Sequence, residues 1–119
     1  MSGTVEFIAP YLPLKIDNVS WNGDVLLLSS TEWSLRVDSV WRILAGKKML
    51  FGCWDDDANK IVADLEGLSV TSVFWVTPEE PIDLSLVLSN GTRLEVLCCL
   101  SFEPWVVNLP DNSVFVGNS

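Results

Sequence analysis

The stretch DLSLVLSNGTRLEV, residues 83–96, decides the fold of this chain. Leucines at positions 84, 86 and 88 alternate with other residues, and Leu94 and Val96 continue the alternation after a turn. Alternation with a period of two is typical of a β-strand that has one buried face. The intervening Ser89-Asn90-Gly91 supplies residues that tolerate positive φ. The stretch therefore predicts a β-hairpin over residues 83–98.

A second hairpin is predicted where Val25–Leu28 is followed by Trp33–Val37. The two hairpins match at a constant offset of 59 positions, with these identities: Asp24 with Asp83, Leu27 with Leu86, Ser30 with Ser89, Leu35 with Leu94, and Val37 with Val96. The match indicates a duplicated hairpin unit, but any two amphipathic hairpins share alternating aliphatic residues around a polar turn. Both interpretations predict a mainly antiparallel architecture.

The rest of the chain predicts one mainly β domain over residues 1–119, an α+β arrangement with a single short helix. The helix is predicted over Asp57–Leu65, with Asp55 or Asp56 as N-cap and Gly67 as the stop. Turn-forming residues separate further strands, which are predicted at Thr4–Ile8, Val40–Leu44, Thr71–Val76, Trp105–Leu109 and Val114–Val116. Strands at this spacing favour an antiparallel β-sandwich or an open barrel.

Charge limits the classes of function. The chain has no histidine, and sixteen Asp and Glu oppose seven Lys and Arg, for a net charge of −9. Without histidine, the chain lacks the commonest general base and the commonest metal ligand. The negative charge repels phosphate, so nucleic acid is not the expected ligand. Binding is favoured over catalysis, and the expected partner is a basic protein.

The cysteines and the apolar runs predict a cytoplasmic protein that uses neither membrane nor cofactor. Cys53, Cys98 and Cys99 are an odd number without metal-ligand spacing, which favours reduced thiols. No secretory signal is visible, and the apolar runs are far shorter than the roughly 20 residues needed to span a bilayer. A calcium loop beginning at Asp55 would need glycine where Lys60 stands. No metal and no cofactor are therefore predicted.

Two acidic groups are the candidate partner-binding residues. One is Asp55, Asp56 and Asp57, with Trp54 beside them as an apolar anchor. The other is Glu79 and Glu80, which stand between two prolines in a stiff loop. Most of the six tryptophans, Trp75 above all, are expected in the core, whereas one or two outside the alternation, Trp21 or Trp54, are candidate interface anchors. No residue is expected to be catalytic.

The hairpin of residues 83–96, followed by Glu103-Pro104-Trp105 and Leu109-Pro110-Asp111, is similar to small acidic bacterial immunity proteins of contact-dependent growth inhibition and related polymorphic toxin systems. The resemblance covers residues 64–116. It implies a cytoplasmic protein that binds a toxin domain, often a basic nuclease, and blocks its active site or substrate surface. The resemblance transfers no individual functional residue.

Two other classes of function stay open at this point. One is a structural or oligomerising domain that buries its tryptophans in a homodimer. The other is a carboxylate-based enzyme or a calcium protein, which would need a deep acidic pocket or stabilisation by calcium.

Overall fold

Two antiparallel β-sheets packed face to face form the body of the molecule in the computed structural model, which describes residues 8–38, 40–46, 48–77, 80–97 and 105–116. The predicted mainly β fold is confirmed, and it is a sandwich. A 3₁₀ turn at Ala9–Tyr11 precedes the strands. The described strands and helix are β1 (Leu14–Lys15), β2 (Asn18–Trp21), β3 (Leu26–Ser29), β4 (Ser34–Val37), β5 (Trp41–Ala45), β6 (Lys48–Gly52), α1 (Ala58–Ala63), β7 (Ser69–Thr77), β8 (Glu80–Leu88), β9 (Thr92–Val96), β10 (Trp105–Asn108) and β11 (Val114–Val116).

The six-stranded sheet has the order β1-β7-β8-β9-β5-β6, and the five-stranded sheet has the order β11-β10-β4-β3-β2. Both predicted hairpins are confirmed, as β8–β9 and as β3–β4. The turn between β8 and β9 uses Gly91 at φ 89°, a conformation that favours glycine. The strand predicted at residues 4–8 lies outside the described residues except for Ile8, which is buried just before the 3₁₀ turn.

The topology shows a duplication larger than one hairpin. In the first repeat, residues 18–52, three strands (β2–β3–β4) lie in the five-stranded sheet and a hairpin (β5–β6) crosses to the other sheet. In the second repeat, residues 69–116, three strands (β7–β8–β9) lie in the six-stranded sheet and a hairpin (β10–β11) crosses back. Each repeat therefore places its last two strands beside the other repeat's three.

Corresponding rows of inward-facing residues support this equivalence. Neighbouring strands place the following residues side by side in the two sheets: Trp21, Leu26, Val37 and Trp105 in one, and Trp75, Leu84, Val96 and Trp41 in the other. Across the sandwich, the Trp21 ring meets Trp41 edge-on with centroids 5.3 Å apart. The equivalent pair, Trp75 and Trp105, is tilted at 6.4 Å. The two repeats thus have equivalent topology and equivalent inward-facing rows.

The strand pairing shows that the alignment of the two hairpins at an offset of 59 is wrong by one residue on their first strands. Leu35 and Leu94, 59 positions apart, are both buried, as predicted. On the first strands, however, Leu26 corresponds to Leu84, 58 positions on, because the loop of the first hairpin is one residue longer. A shift of one residue moves a side chain to the other face of its strand. Leu27 is therefore 36% exposed, whereas its aligned partner Leu86 is buried.

The core differs from the expectation at one tryptophan. Trp33, Trp41 and Trp105 are buried, but Trp75 is only half-buried and packs against the edge of the core cluster. Its sheet position is equivalent to that of Trp21, which is also half-buried. Both rings stand on the outermost strand of their repeat, where one side has no neighbouring strand from that repeat.

Two segments outside the repeats close the two open sides of the sandwich. On one side, α1 packs against β2. On the other side, β1 pairs with β7, and Ile8 enters the core. Hydrogen bonds from Ser113, and a further one from the Tyr11 hydroxyl, hold the pKa of Asp111 below its ordinary value. The contact with Asp111 also raises the pKa of Tyr11. This hydrogen bond ties the N-terminal turn to the β10–β11 loop.

Candidate functional site

The candidate site is carried by the connection between the two repeats, residues 53–68, called the insert below. Ala58, Val62 and Leu65 are buried and fix the insert to the core. Its helix is shorter than predicted, and the N-cap is Asp57 rather than Asp55 or Asp56. The Asp57 side chain makes no capping hydrogen bond, so its carboxylate is not used to hold the helix.

Asp55 secures the start of the insert. Its Oδ2 accepts a hydrogen bond from the Gly52 N–H at 2.7 Å, and its own N–H donates to the Gly52 carbonyl at 3.1 Å. Gly52 lies on β6, an edge strand, where backbone groups without a partner invite pairing with another chain. Asp55 therefore has a structural function in the folded chain, because its carboxylate accepts a hydrogen bond from the backbone N–H of the last residue of this edge strand.

Glu66 secures the end of the insert in the same way. Its Oε2 accepts a hydrogen bond from the Val19 N–H at 3.0 Å, and Val19 lies on β2, the edge strand of the other sheet. The neighbouring Gly67 N–H donates to the Ile16 carbonyl at 2.8 Å. Two carboxylates thus fasten the insert to one edge of each sheet and hold its surface in place.

Trp54 lies on the outside of the insert. Its side chain is 55% exposed, as expected for an anchor, and its ring crosses the backbone of Gly52. A Cβ built on Gly52 would stand 2.8 Å from Cη2 and Cζ2 of the indole, which is closer than real Cβ contacts allow. Glycine at position 52 therefore permits the ring to lie against β6, and the exposed ring has a defined resting place.

Asp56 and Asp57 are the two residues of the predicted aspartate group that are exposed to solvent. Both residues are exposed, and neither side chain has a hydrogen-bond or ion-pair partner among the described residues. Other carboxylates are engaged within the fold: Glu95 binds Arg42 at 2.7 Å, and Asp38 binds Arg36 at 3.1 Å. The predicted aspartate group therefore divides into one structural and two available residues.

Of the second acidic group, Glu79 and Glu80, the structure describes only part. Glu79 lies outside the described residues, and only the backbone position of Glu80 is described, at the start of β8 opposite Thr77. In the six-stranded sheet β8 is separated from β6, which leads into the insert, by β9 and β5. Glu80 therefore begins a strand three positions away from β6, and the prediction that Glu79 and Glu80 bind a partner stays a prediction.

A solvent-open cavity of about 300 Å³ lies between the insert and the end of β2. It is lined by Trp21, Asn22 and Gly23 from one segment and by Asp56 and Asn59 from the other. The fold thus joins Trp21, the other candidate anchor, to the aspartate group. Sequence reasoning missed Asn22 and Asn59. The turn sequence Asn22-Gly23-Asp24 gave a signal for the first, whereas nothing in the sequence singled out the second.

The described part of the chain shows neither a cluster of metal-ligating side chains nor a helix that could span a membrane. No three His, Cys, Asp or Glu side chains there converge on a common point. No described helix has the length and apolar character needed to cross a bilayer. Cys53 is half-buried and free of any disulfide.

No protein-family model, curated protein or solved structure matches this chain. Its function must therefore be argued from the geometry and charge of the insert.

Proposed function

We propose that this chain is an acidic cytoplasmic binding protein that neutralises a basic protein, most concretely a toxin nuclease domain, in the manner of the immunity proteins it resembles. One observation carries the proposal: on a firmly attached insert, an exposed tryptophan lies near two exposed aspartates that have no side-chain partner among the described residues. Trp54 is 55% exposed, and the exposed Asp56 and Asp57 follow it two and three residues later in the chain.

Electrostatics favours a cationic partner. The chain carries a net charge of −9, and the insert alone holds five carboxylates against one lysine, Lys60. Such a field raises the rate of association with a basic surface and discriminates against acidic ones. The exposed carboxylates of Asp56 and Asp57 would face the partner's phosphate-binding side chains and occupy the place of nucleic acid.

Trp54 supplies the apolar contact that charge alone lacks. Interface hot spots are enriched in tryptophan, and they form where a large side chain is fully desolvated against the partner. The ring already rests on Gly52, and the insert is fixed at both ends, so little conformational freedom is lost on binding. The aspartates should therefore govern association, and Trp54 should govern dissociation.

The test measures binding kinetics. The chain is immobilised, a basic protein is collected from a lysate of the source cell at low salt and purified, and both rate constants are recorded at low and high ionic strength. The double variant Asp56→Asn with Asp57→Asn should slow association at low salt about threefold or more and flatten its salt dependence. Trp54→Ala should speed dissociation about tenfold with little effect on association.

The matched control is the double variant Asp17→Asn with Glu32→Gln. Both residues are exposed and lie outside the insert, and the change in net charge is the same. If this control slows association as much as the insert variant does, the insert is not the binding surface. Light scattering adds a second criterion, because a salt-insensitive homodimer that buries Trp54 would support a structural role instead.

A further inference from the structure

We propose that the cavity between Trp21 and the insert receives an arginine side chain of the basic partner. The inference rests on the function proposed above and adds the chemistry by which the partner is recognised. Five residues line the cavity: Trp21, Asn22, Gly23, Asp56 and Asn59. None of them is basic, so an entering cation is not repelled by a positive charge in the lining.

The volume of the cavity limits the class of ligand. About 300 Å³, open to solvent, lies at the lower end of the range for small-molecule pockets, which usually bury most of a larger ligand. A cavity of this size and openness suits one long side chain that enters from a bound surface. Two polypeptide segments form it, so its shape depends on the attachment of the insert to β2, where Glu66 holds Val19.

The aromatic wall is held in place by the core. Trp21 is half-buried, and its ring meets the buried Trp41 ring at an interplanar angle of 89°. The adjoining turn is also fixed, because Asn22 Oδ1 accepts hydrogen bonds from the N–H groups of Asp24 and Val25, both at 2.8 Å. Trp21, which lines the cavity, is therefore held in position, and an indole ring attracts a cation that lies over its face.

The opposite wall supplies the acceptors. The Asp56 carboxylate has no partner among the described residues, and Asn59, three residues further along and inside α1, is an exposed amide. A guanidinium is planar, carries five N–H donors, stacks on aromatic rings and pairs with carboxylates in a bidentate manner. An ammonium lacks the planar shape and the fork of donors. The combination of ring, carboxylate and amide therefore favours arginine over lysine.

The second repeat has the equivalent tryptophan, Trp75, in a different setting. Trp75 occupies the sheet position of Trp21, but β1 rather than a helix-bearing insert lies along its strand. The cavity thus combines the repeated tryptophan with the unrepeated insert.

The test uses a capped tetra-arginine peptide as the probe and a capped tetra-lysine peptide for comparison. Binding to the full chain is followed in ¹⁵N NMR spectra, where the six indole N–H signals are assigned by substituting each tryptophan in turn. The arginine peptide should shift the Trp21 indole signal, and the lysine peptide should bind more weakly. Asp56→Asn should weaken arginine binding about fivefold or more, whereas Asp57→Asn, its matched neighbour outside the cavity lining, should weaken it less than about twofold.

Equal losses from Asp56→Asn and Asp57→Asn, an undisturbed Trp21 signal, or equal affinity for both peptides would overturn the arginine site. Asp56 is exposed, so its substitution does not endanger folding. A second variant, Trp21→Phe, keeps an aromatic ring but presents a smaller π surface, and it should also weaken the arginine peptide. One combination of results would reject the arginine site but not the proposed function. In that case binding to the basic partner would depend on salt, Trp54 and Asp57, whereas Asp56→Asn would not change binding of the arginine peptide.

Discussion

The two repeats agree on the inner faces of the sandwich and differ on the outer ones. Both inner rows carry tryptophan, leucine, valine and tryptophan at matching positions. On the outer face of the five-stranded sheet, Leu27 and Arg36 are exposed, whereas the equivalent residues of the other sheet, Ser85 and Glu95, are buried. The shared positions are those that packing requires. Features specific to this chain are therefore found where the repeats differ, above all in the insert.

The largest expected effects test whether the two repeats are energetically equivalent. Trp41 and Trp105 occupy matching positions and are both buried. Trp41→Ala and Trp105→Ala should each lower the free energy of unfolding by about 3–5 kcal/mol through lost burial and a residual cavity. Denaturant unfolding measures both, with the exposed Trp54→Ala as the control expected to change little. A loss of less than about 1 kcal/mol at either position would show that the repeats share a topology but not a core.

The next prediction compares the outer faces. Glu95 is 4% exposed and accepts a hydrogen bond from Arg42 Nε at 2.7 Å. Glu95→Ala should cost about 2 kcal/mol, because it leaves the half-buried guanidinium without its partner. At the equivalent position, Arg36 forms an ion pair with Asp38 that is exposed, so Arg36→Ala should cost less than about 1 kcal/mol. Equal losses in denaturant unfolding would contradict the difference between the two faces.

The smallest expected effect concerns the start of the insert. Asp55→Ala removes the acceptor of the Gly52 N–H and should lower the free energy of unfolding by about 1 kcal/mol. Asp57→Ala, two residues away, should leave it unchanged, because that carboxylate has no partner among the described residues. Hydrogen exchange of the Gly52 amide gives a local readout, and exchange should accelerate in the first variant only. Unchanged protection of the Gly52 amide in Asp55→Ala would show that Asp55 does not have this structural function.

The parts of the fold that could be predicted from the sequence are those with regular alternation. Both central hairpins, four further strands and the helix were predictable because their buried residues recur at the period of the element. Edge strand β6 was missed because a bulge breaks its alternation, so that Met49, Leu50 and Phe51 are consecutive apolar residues. The four-residue β2 was missed because its alternation is short, and its hydrogen bond to Glu66 of the insert joins residues that are distant in sequence.

The candidate site was predictable only in its composition. A run of aspartates after a tryptophan indicated an exposed acidic surface, and the exposure of Trp54, Asp56 and Asp57 agrees with it. The structural function of Asp55 was not predictable, since it depends on the turn that places Asp55 Oδ2 2.7 Å from the Gly52 backbone nitrogen. The meeting of Trp21 with Asp56 depends on which edge strand the insert covers, and no local pattern records that choice.

Each repeat contributes its last hairpin to the other sheet, so the two halves of the chain depend on each other. Neither half of the chain can complete a sheet by itself, since each would expose the apolar face and strand edge that the other normally covers. A polypeptide made of one half alone would need a second copy to lend it a hairpin, as in a dimer with swapped arms. Conversely, two fragments produced by a cut between them should find each other and reassemble.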